Sequence, residues 1–153
     1  MEALRRTAVR SMFVIAAALV AVGTAQAGVS CHKINAKGAG QDLGGGNTQA
    51  QIIGGGLLQG TTQASFGITG GTPPLFSIAG TVMFTTKHAT LTVTVTGTFD
   101  IATGKFDASG PVTAATGKLT GATGRLEFEG VQDLPSGKFV EDVRGEICVD
   151  LAK

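Results

Sequence analysis

Ala115 to Gly130 reads ATGKLTGATGRLEFEG, which states one five-residue unit twice: a small residue, Thr, Gly, a basic residue and a large apolar one. The unit stands at Ala102–Phe106 (ATGKF), Ala115–Leu119 (ATGKL), Ala122–Leu126 (ATGRL) and, with Ser for Thr, Pro135–Phe139 (PSGKF). A Thr-Gly or Ser-Gly step gives the backbone a positive φ at little steric cost. The apolar residue two positions later then opens a strand that returns beside the one before. The stretch predicts a repeated hairpin with bends at Gly104, Gly117, Gly124 and Gly137, and with Lys105, Lys118, Arg125 and Lys138 solvated just past them.

Outward from these bends the hydrophobic period is two. In Ala89 to Phe99, Leu91, Val93, Val95 and Phe99 share one face while Thr90, Thr92, Thr94, Thr96 and Thr98 take the other, a sorting that a pleated strand produces and a helix does not. The same alternation groups Phe76, Ile78, Val82 and Phe84; then Phe106, Ala108 and Val112; then Leu126 and Phe128; then Phe139, Val143, Ile147, Val149 and Leu151. Many short antiparallel strands with turn signals every ten or so residues mean a β-barrel or a β-sandwich. The connection lengths favour up-and-down hairpins, and a barrel is favoured because it leaves no edge strand open to aggregation.

Met1 to Ala27 has the form of a signal peptide: Arg5, Arg6 and Arg10, an apolar run from Met12 to Val22, and small residues at Ala25-Gln26-Ala27. The apolar run is well short of the roughly 20 residues a spanning helix needs, so no integral membrane segment is expected after cleavage. The expected location is secreted or periplasmic. The rest of the chain, residues 28–153, is expected to form one domain, with an N-terminal strand and Gly-rich loop over 28–56 and the barrel body over 57–153. GAGQDLGGG from Gly38 and GGG at Gly54–Gly56 suggest a mobile loop. The leader holds three Arg and one Glu, which leaves nine basic and ten acidic residues and a net charge of −1. Nothing in that balance attracts nucleic acid.

Cys31 and Cys148 are the two cysteines of the chain. In an exported protein they are expected to pair, tying the first strand to the last. The loop closed in this way is worth on the order of 4 to 5 kcal/mol in the chain-entropy account.

The hairpin stretch VTAATGKLTGATGRLEFEG, followed by GKFVEDVRGEICVDL, resembles the allene oxide cyclase and dirigent superfamily of small eight-stranded β-barrels, especially its secreted bacterial relatives. The residues that carry the resemblance are Thr116, Gly117, Leu119, Gly121, Ala122, Gly124 and Leu126, then Gly145 and Cys148. It covers about Leu57 to Leu151. The resemblance implies an antiparallel eight-stranded up-and-down barrel, a lumen able to hold a small hydrophobic molecule, and assembly as a homo-oligomer, often a trimer. It transfers no catalytic site residue by residue, and the chain has no Tyr or Trp with which to line a pocket.

Chemistry inside a barrel needs polar groups on the apolar face. In the later strands the alternation finds one, Glu141, between Phe139 and Val143, while Lys138, Asp142, Arg144 and Glu146 fall opposite. A carboxyl held there would have a raised pKa and could act as an acid or base. The simpler alternative, which is favoured, places it at the barrel rim or beside a register-flipping bulge. His32 and His88 lack a second ligand at metal spacing, and Asp107, Glu127 and Glu129 fall on the outer face. Gly117-Lys118 lacks the Ser or Thr and the upstream glycine of a phosphate loop. No cofactor and no metal are expected. Leu75, Ala79 and Met83 form an apolar outer row suited to a subunit interface.

Three readings follow: a non-catalytic barrel that binds a small apolar ligand or a partner surface, an isomerase or cyclase that shapes its substrate, and a structural envelope or matrix component. The poverty of catalytic groups favours the first and argues against an enzyme.

Overall fold

The computed structural model describes residues 28–152; the signal peptide expected over residues 1–27 lies outside the described residues. Eight strands run in chain order: β1 (Ser30–Gly44), β2 (Asn47–Gly54), β3 (Gly60–Thr72), β4 (Leu75–Thr86), β5 (Thr90–Asp100), β6 (Lys105–Ala115), β7 (Thr123–Gln132) and β8 (Lys138–Val149). Each pairs antiparallel with its sequence neighbours, and β8 pairs with β1, so the sheet closes into an up-and-down barrel.

The predicted alternation becomes inside and outside. Leu91, Val93, Val95, Leu126, Val143 and Ile147 are wholly buried within the barrel. The Thr row of β5 and the charges Lys33, Lys37, Glu127, Glu129, Arg144 and Glu146 lie on the opposite face. A membrane-spanning barrel turns a continuous apolar band outward; here threonines and charges share the outer face with Ile53, Met83, Val131 and Val140. Among the described residues no helix is long and apolar enough to cross a membrane.

Cys31 and Cys148 face each other across the β1–β8 seam and form a disulfide, with Cα atoms 3.9 Å apart. It lies on the outer face, so it fastens the seam without taking up interior space. Farther along the same seam toward the other end of the barrel, Lys37 pairs with Asp142, which also binds Arg144, and Arg144 reaches Glu129 on β7.

The two ends of the barrel differ. At one end, the β2–β3 connection is a 3₁₀ turn at Gly56–Leu58 and the β6–β7 connection another at Gly117–Leu119. They drive Leu58 and Leu119 into the core, where Ala89 joins them from the β4–β5 connection. Thr116 and Thr90 lock two of these connections together through their hydroxyls, 2.6 Å apart, and Lys118 N donates to His88 O. This end is sealed. The opposite end carries the β1–β2, β3–β4, β5–β6 and β7–β8 turns, and no side chain of theirs enters the core cluster.

Two sequence expectations need correction. Gly38 to Gly56 is not a mobile loop: Gly38–Gly44 completes β1, Gly45–Gly46 turns the chain, and Asn47–Gly54 is β2. Two of its glycines, Gly38 and Gly40, stand where a carboxyl and an aromatic ring from β8 occupy the volume a side chain would take, and Gly44, Gly45, Gly46, Gly54, Gly55 and Gly56 hold positive φ at the turns. Of the four expected bends, Gly104, Gly117 and Gly137 lie in connections with φ of 72°, 60° and 69°. Gly124, however, is inside β7 with φ 142°. The second and third copies of the repeat share a single connection, so the third opens a strand instead of making another turn.

Candidate functional site

Above the sealed core the barrel interior opens into a cavity of about 440 Å³. Phe66, Phe99, Phe106, Phe128 and Phe139 form much of its wall, with Ile78, Val82 and Ala108 between them. Glu141 is the charged group set into that wall; Asp42, Thr48 and Gln132 are polar groups elsewhere in the lining.

One row of paired residues explains how these side chains come together. Across β1, β8, β7, β6, β5 and β4 the register reads Gly38, Glu141, Gly130, Phe106, Phe99, Phe76. Glycines therefore flank Glu141 on both neighbouring strands. A Cβ on Gly38 would stand 2.6 Å from both Cγ and Oε1 of Glu141, and a Cβ on Gly130 would stand 2.4 Å from the tip of the Phe106 ring. The carboxyl leans over one glycine and the ring over the other. The next inward row repeats the device, since a Cβ on Gly40 would stand 2.4 Å from the Phe139 ring tip. Covering strand glycines with aromatic rings from the adjacent strand pins register as well as filling space.

The repeat contributes here directly. Its first and fourth copies both deliver a Phe two residues past a positive-φ Gly at the open end, and those rings, Phe106 and Phe139, meet edge to face at 5.9 Å. Gly104 and Gly137 thus set the depth at which two cavity aromatics stand.

Glu141 is neither at a bulge nor in the outermost inward row. Pairing of β8 with β1 and with β7 runs unbroken through it, and Phe139 stands between it and the mouth. Its carboxyl makes no hydrogen bond and no ion pair with any described residue. Burial with no compensating partner pushes its pKa up to about 7. Asp42 is held differently: it accepts from Gly44 N at 2.8 Å and from Gln132 Nε2 at 3.1 Å, which fixes it at the start of the β1–β2 turn. Around the mouth, Leu43, Ile68, Leu75, Ile101 and Leu134 expose large apolar side chains at or beside the four turns.

The other sequence candidates fall elsewhere. Asp107, Glu127 and Glu129 lie on the outer face, and Lys105, Lys118, Arg125 and Lys138 are exposed, as expected. His88 is at an exposed turn, and His32 lies near the sealed end, hydrogen-bonded to Ser30. Cys31, Glu146 and Cys148 are close enough together to suggest a metal site, but the disulfide consumes both thiols. Leu75 and Met83 are exposed on the outer face, with Ala79 half-buried between them. The sequence reading missed Asp42, Thr62, Gln132 and the glycine partners of the rings. Ile34, Ala36, Gly38, Gly40 and Asp42 share the period of two, which was the available signal for β1.

No protein-family model matches the chain, and neither does any curated protein or solved structure. The class is therefore defined by the fold and the cavity alone: a closed eight-stranded barrel, disulfide-fastened, with one sealed end and one aromatic-walled opening.

Proposed function

We propose that this chain is a secreted or periplasmic barrel that binds a small, largely apolar molecule in the open half of its lumen. The observation that carries the reading is the cavity itself: about 440 Å³, walled by five phenyl rings around one partnerless carboxyl. That volume lies in the range of small-molecule sites, which are mostly apolar with a few placed polar groups. The apolar turns around the mouth suit entry of such a ligand. The disulfide and the form of the leader support an oxidising compartment.

The test is uptake of an apolar dye whose fluorescence rises on burial, in a protein with no Trp or Tyr to interfere. Saturable uptake is expected, and Ala64→Phe, which fills the cavity from β3, should abolish it while leaving the circular dichroism unchanged. Equal uptake by wild type and Ala64→Phe would rule out the lumen as the site.

A second reading, an isomerase or cyclase of the allene oxide cyclase-like or dirigent-like kind, is favoured by one observation. Glu141 has a pKa near neutrality and faces the cavity, where a carboxyl can donate or accept a proton. Under it, a ligand recovered from the lumen would be chemically changed and Glu141→Gln would stop the change without stopping binding. Assembly as a trimer belongs to the same resemblance, and sedimentation of the folded protein tests it.

A further inference from the structure

We propose that the ligand of this cavity is an apolar amine, bound as a monocation, and that the site discriminates against carboxylates of the same shape. The inference rests on the ligand-binding reading above and specifies its chemistry.

The charges that line the cavity are of one sign. Glu141 is set into the wall and Asp42 stands near the mouth, while no Lys, Arg or His is among the lining residues. The cations nearest in sequence to Glu141 point away: Lys138 and Arg144 are exposed outside, and Lys37 on the adjacent strand is engaged with Asp142 on the outer face. β1 and β7, which flank Glu141, present Gly38 and Gly130 to it, and the acid on β7 at that level, Glu129, is also outside. An anionic ligand would thus enter a chamber with two acids and no counter-charge. A cation finds a carboxylate that nothing else pairs, within a wall of phenyl faces whose quadrupoles attract positive charge. Asp42 already accepts two hydrogen bonds, so the unsatisfied acceptor is Glu141.

The protonation equilibrium points the same way. With the cavity empty, Glu141 titrates at about 7 because burial disfavours its charge; a bound ammonium supplies the missing partner and returns that pKa toward the ordinary carboxyl value of 4.5. An alkylamine stays protonated through neutrality, its pKa being near that of lysine, about 10. Amine affinity should therefore rise as pH rises through 7, by about tenfold between pH 6 and pH 8, with release of a proton on binding near and below pH 7.

The experiment is isothermal titration calorimetry of the oxidised, mature protein with three probes of one shape: phenylbutylamine, phenylbutanol and phenylbutanoate. The amine is expected to bind about tenfold or more tighter than the alcohol at pH 8, with the carboxylate weakest. Glu141→Gln should bring amine and alcohol to similar affinity and remove the pH dependence. If the alcohol or the carboxylate binds wild type as tightly as the amine, the proposal is overturned while the apolar-ligand reading stands. If none of the three binds and none displaces the apolar dye, the proposal is overturned while the apolar-ligand reading stands on the dye; if the dye is not taken up either, both fall. Should Glu141→Gln fail to fold, the order of the three probes on wild type still decides.

Discussion

The sealed and open halves of this barrel are made from the same eight strands with the same inward-outward alternation, and they do opposite things with the space. An eight-stranded barrel is just wide enough for its side chains to fill or to hold one small ligand. In the sealed half Leu58, Leu91, Leu119, Leu126, Ile147 and Val149 fill it. In the open half glycines stand in the inward rows at Gly38, Gly40 and Gly130, and rings lie against the wall over two of them. Substituting glycine for a branched aliphatic residue removes volume from the barrel axis, so the aromatics line a hole instead of meeting across it. Packing is concentrated where the interior is full, and the proposed ligand site lies where it was left unfilled.

The largest test of that division is at the seam. Replacing Cys31 and Cys148 together by Ser should lower the unfolding free energy by about 3 to 5 kcal/mol, from the length of the loop released. Denaturant unfolding with and without reductant measures it. Because the disulfide is at the sealed end on the outer face, dye uptake by the folded variant should be unchanged. A loss of uptake at full folding would show that the halves are not separable.

Next in size is a matched pair of truncations. Leu126→Ala, at a wholly buried position of the filled half, should cost about 2 to 5 kcal/mol, since it leaves a cavity among packed neighbours. Phe106→Ala removes a larger side chain but one already half-exposed to the cavity, so its cost should be the smaller of the two. Equal costs would mean that the open half is packed as tightly as the closed one.

Glu141 supplies a pH test of similar magnitude. Its folded pKa, about 7, stands above the ordinary 4.5, so the folded protein binds the extra proton between those values. Its relative contribution is fully present below pH 4.5 and is lost as pH rises through 7, amounting to on the order of 3 kcal/mol. Compared with Glu141→Gln, the wild type should therefore lose stability between pH 4.5 and pH 8. Asp142, whose pKa the Lys37 hydrogen bond lowers, acts in the opposite sense at lower pH and cancels in that comparison. A wild-type minus variant difference that stays flat with pH would place Glu141 in water.

The smallest effect expected is at the repeat's cations. Lys118→Ala, at an exposed turn residue, should change stability by no more than about 0.5 kcal/mol and leave dye uptake intact. A larger change in either would mean that this connection does more than close the sealed end.

Much of this molecule was legible before its structure. The alternation in Ala89–Phe99 and Phe139–Val149 specified which apolar residues point inward, and the two cysteines near opposite ends of residues 28–153 specified the seam. Glu141 falls on the apolar face of that pattern, yet a rim or bulge position is the favoured expectation for it, and the unbroken pairing through it corrects that. What was not legible has a common physical cause. The start of the Gly38–Gly56 stretch looks unstructured because the inward volume at Gly38 and Gly40 is supplied by Glu141 and Phe139, about a hundred residues away in sequence. Local composition registers the missing side chain but not the ring that replaces it. Likewise Asp42 and Gln132 share no sequence signature and meet only because β1 and β7 end at the same rim. The repeat misled at Gly124 for a related reason: the same Thr-Gly step can turn a chain or start a strand, and the distance to the next hairpin decides which.

The most direct measurement of the central claim is native mass spectrometry of the mature, oxidised protein isolated from its own host without denaturation, before and after incubation with the apolar dye. The account predicts one small-molecule adduct per chain, carried from the host or gained from the dye, and its absence in Ala64→Phe. A bare chain that takes up no dye, or an adduct that Ala64→Phe retains in full, would contradict it.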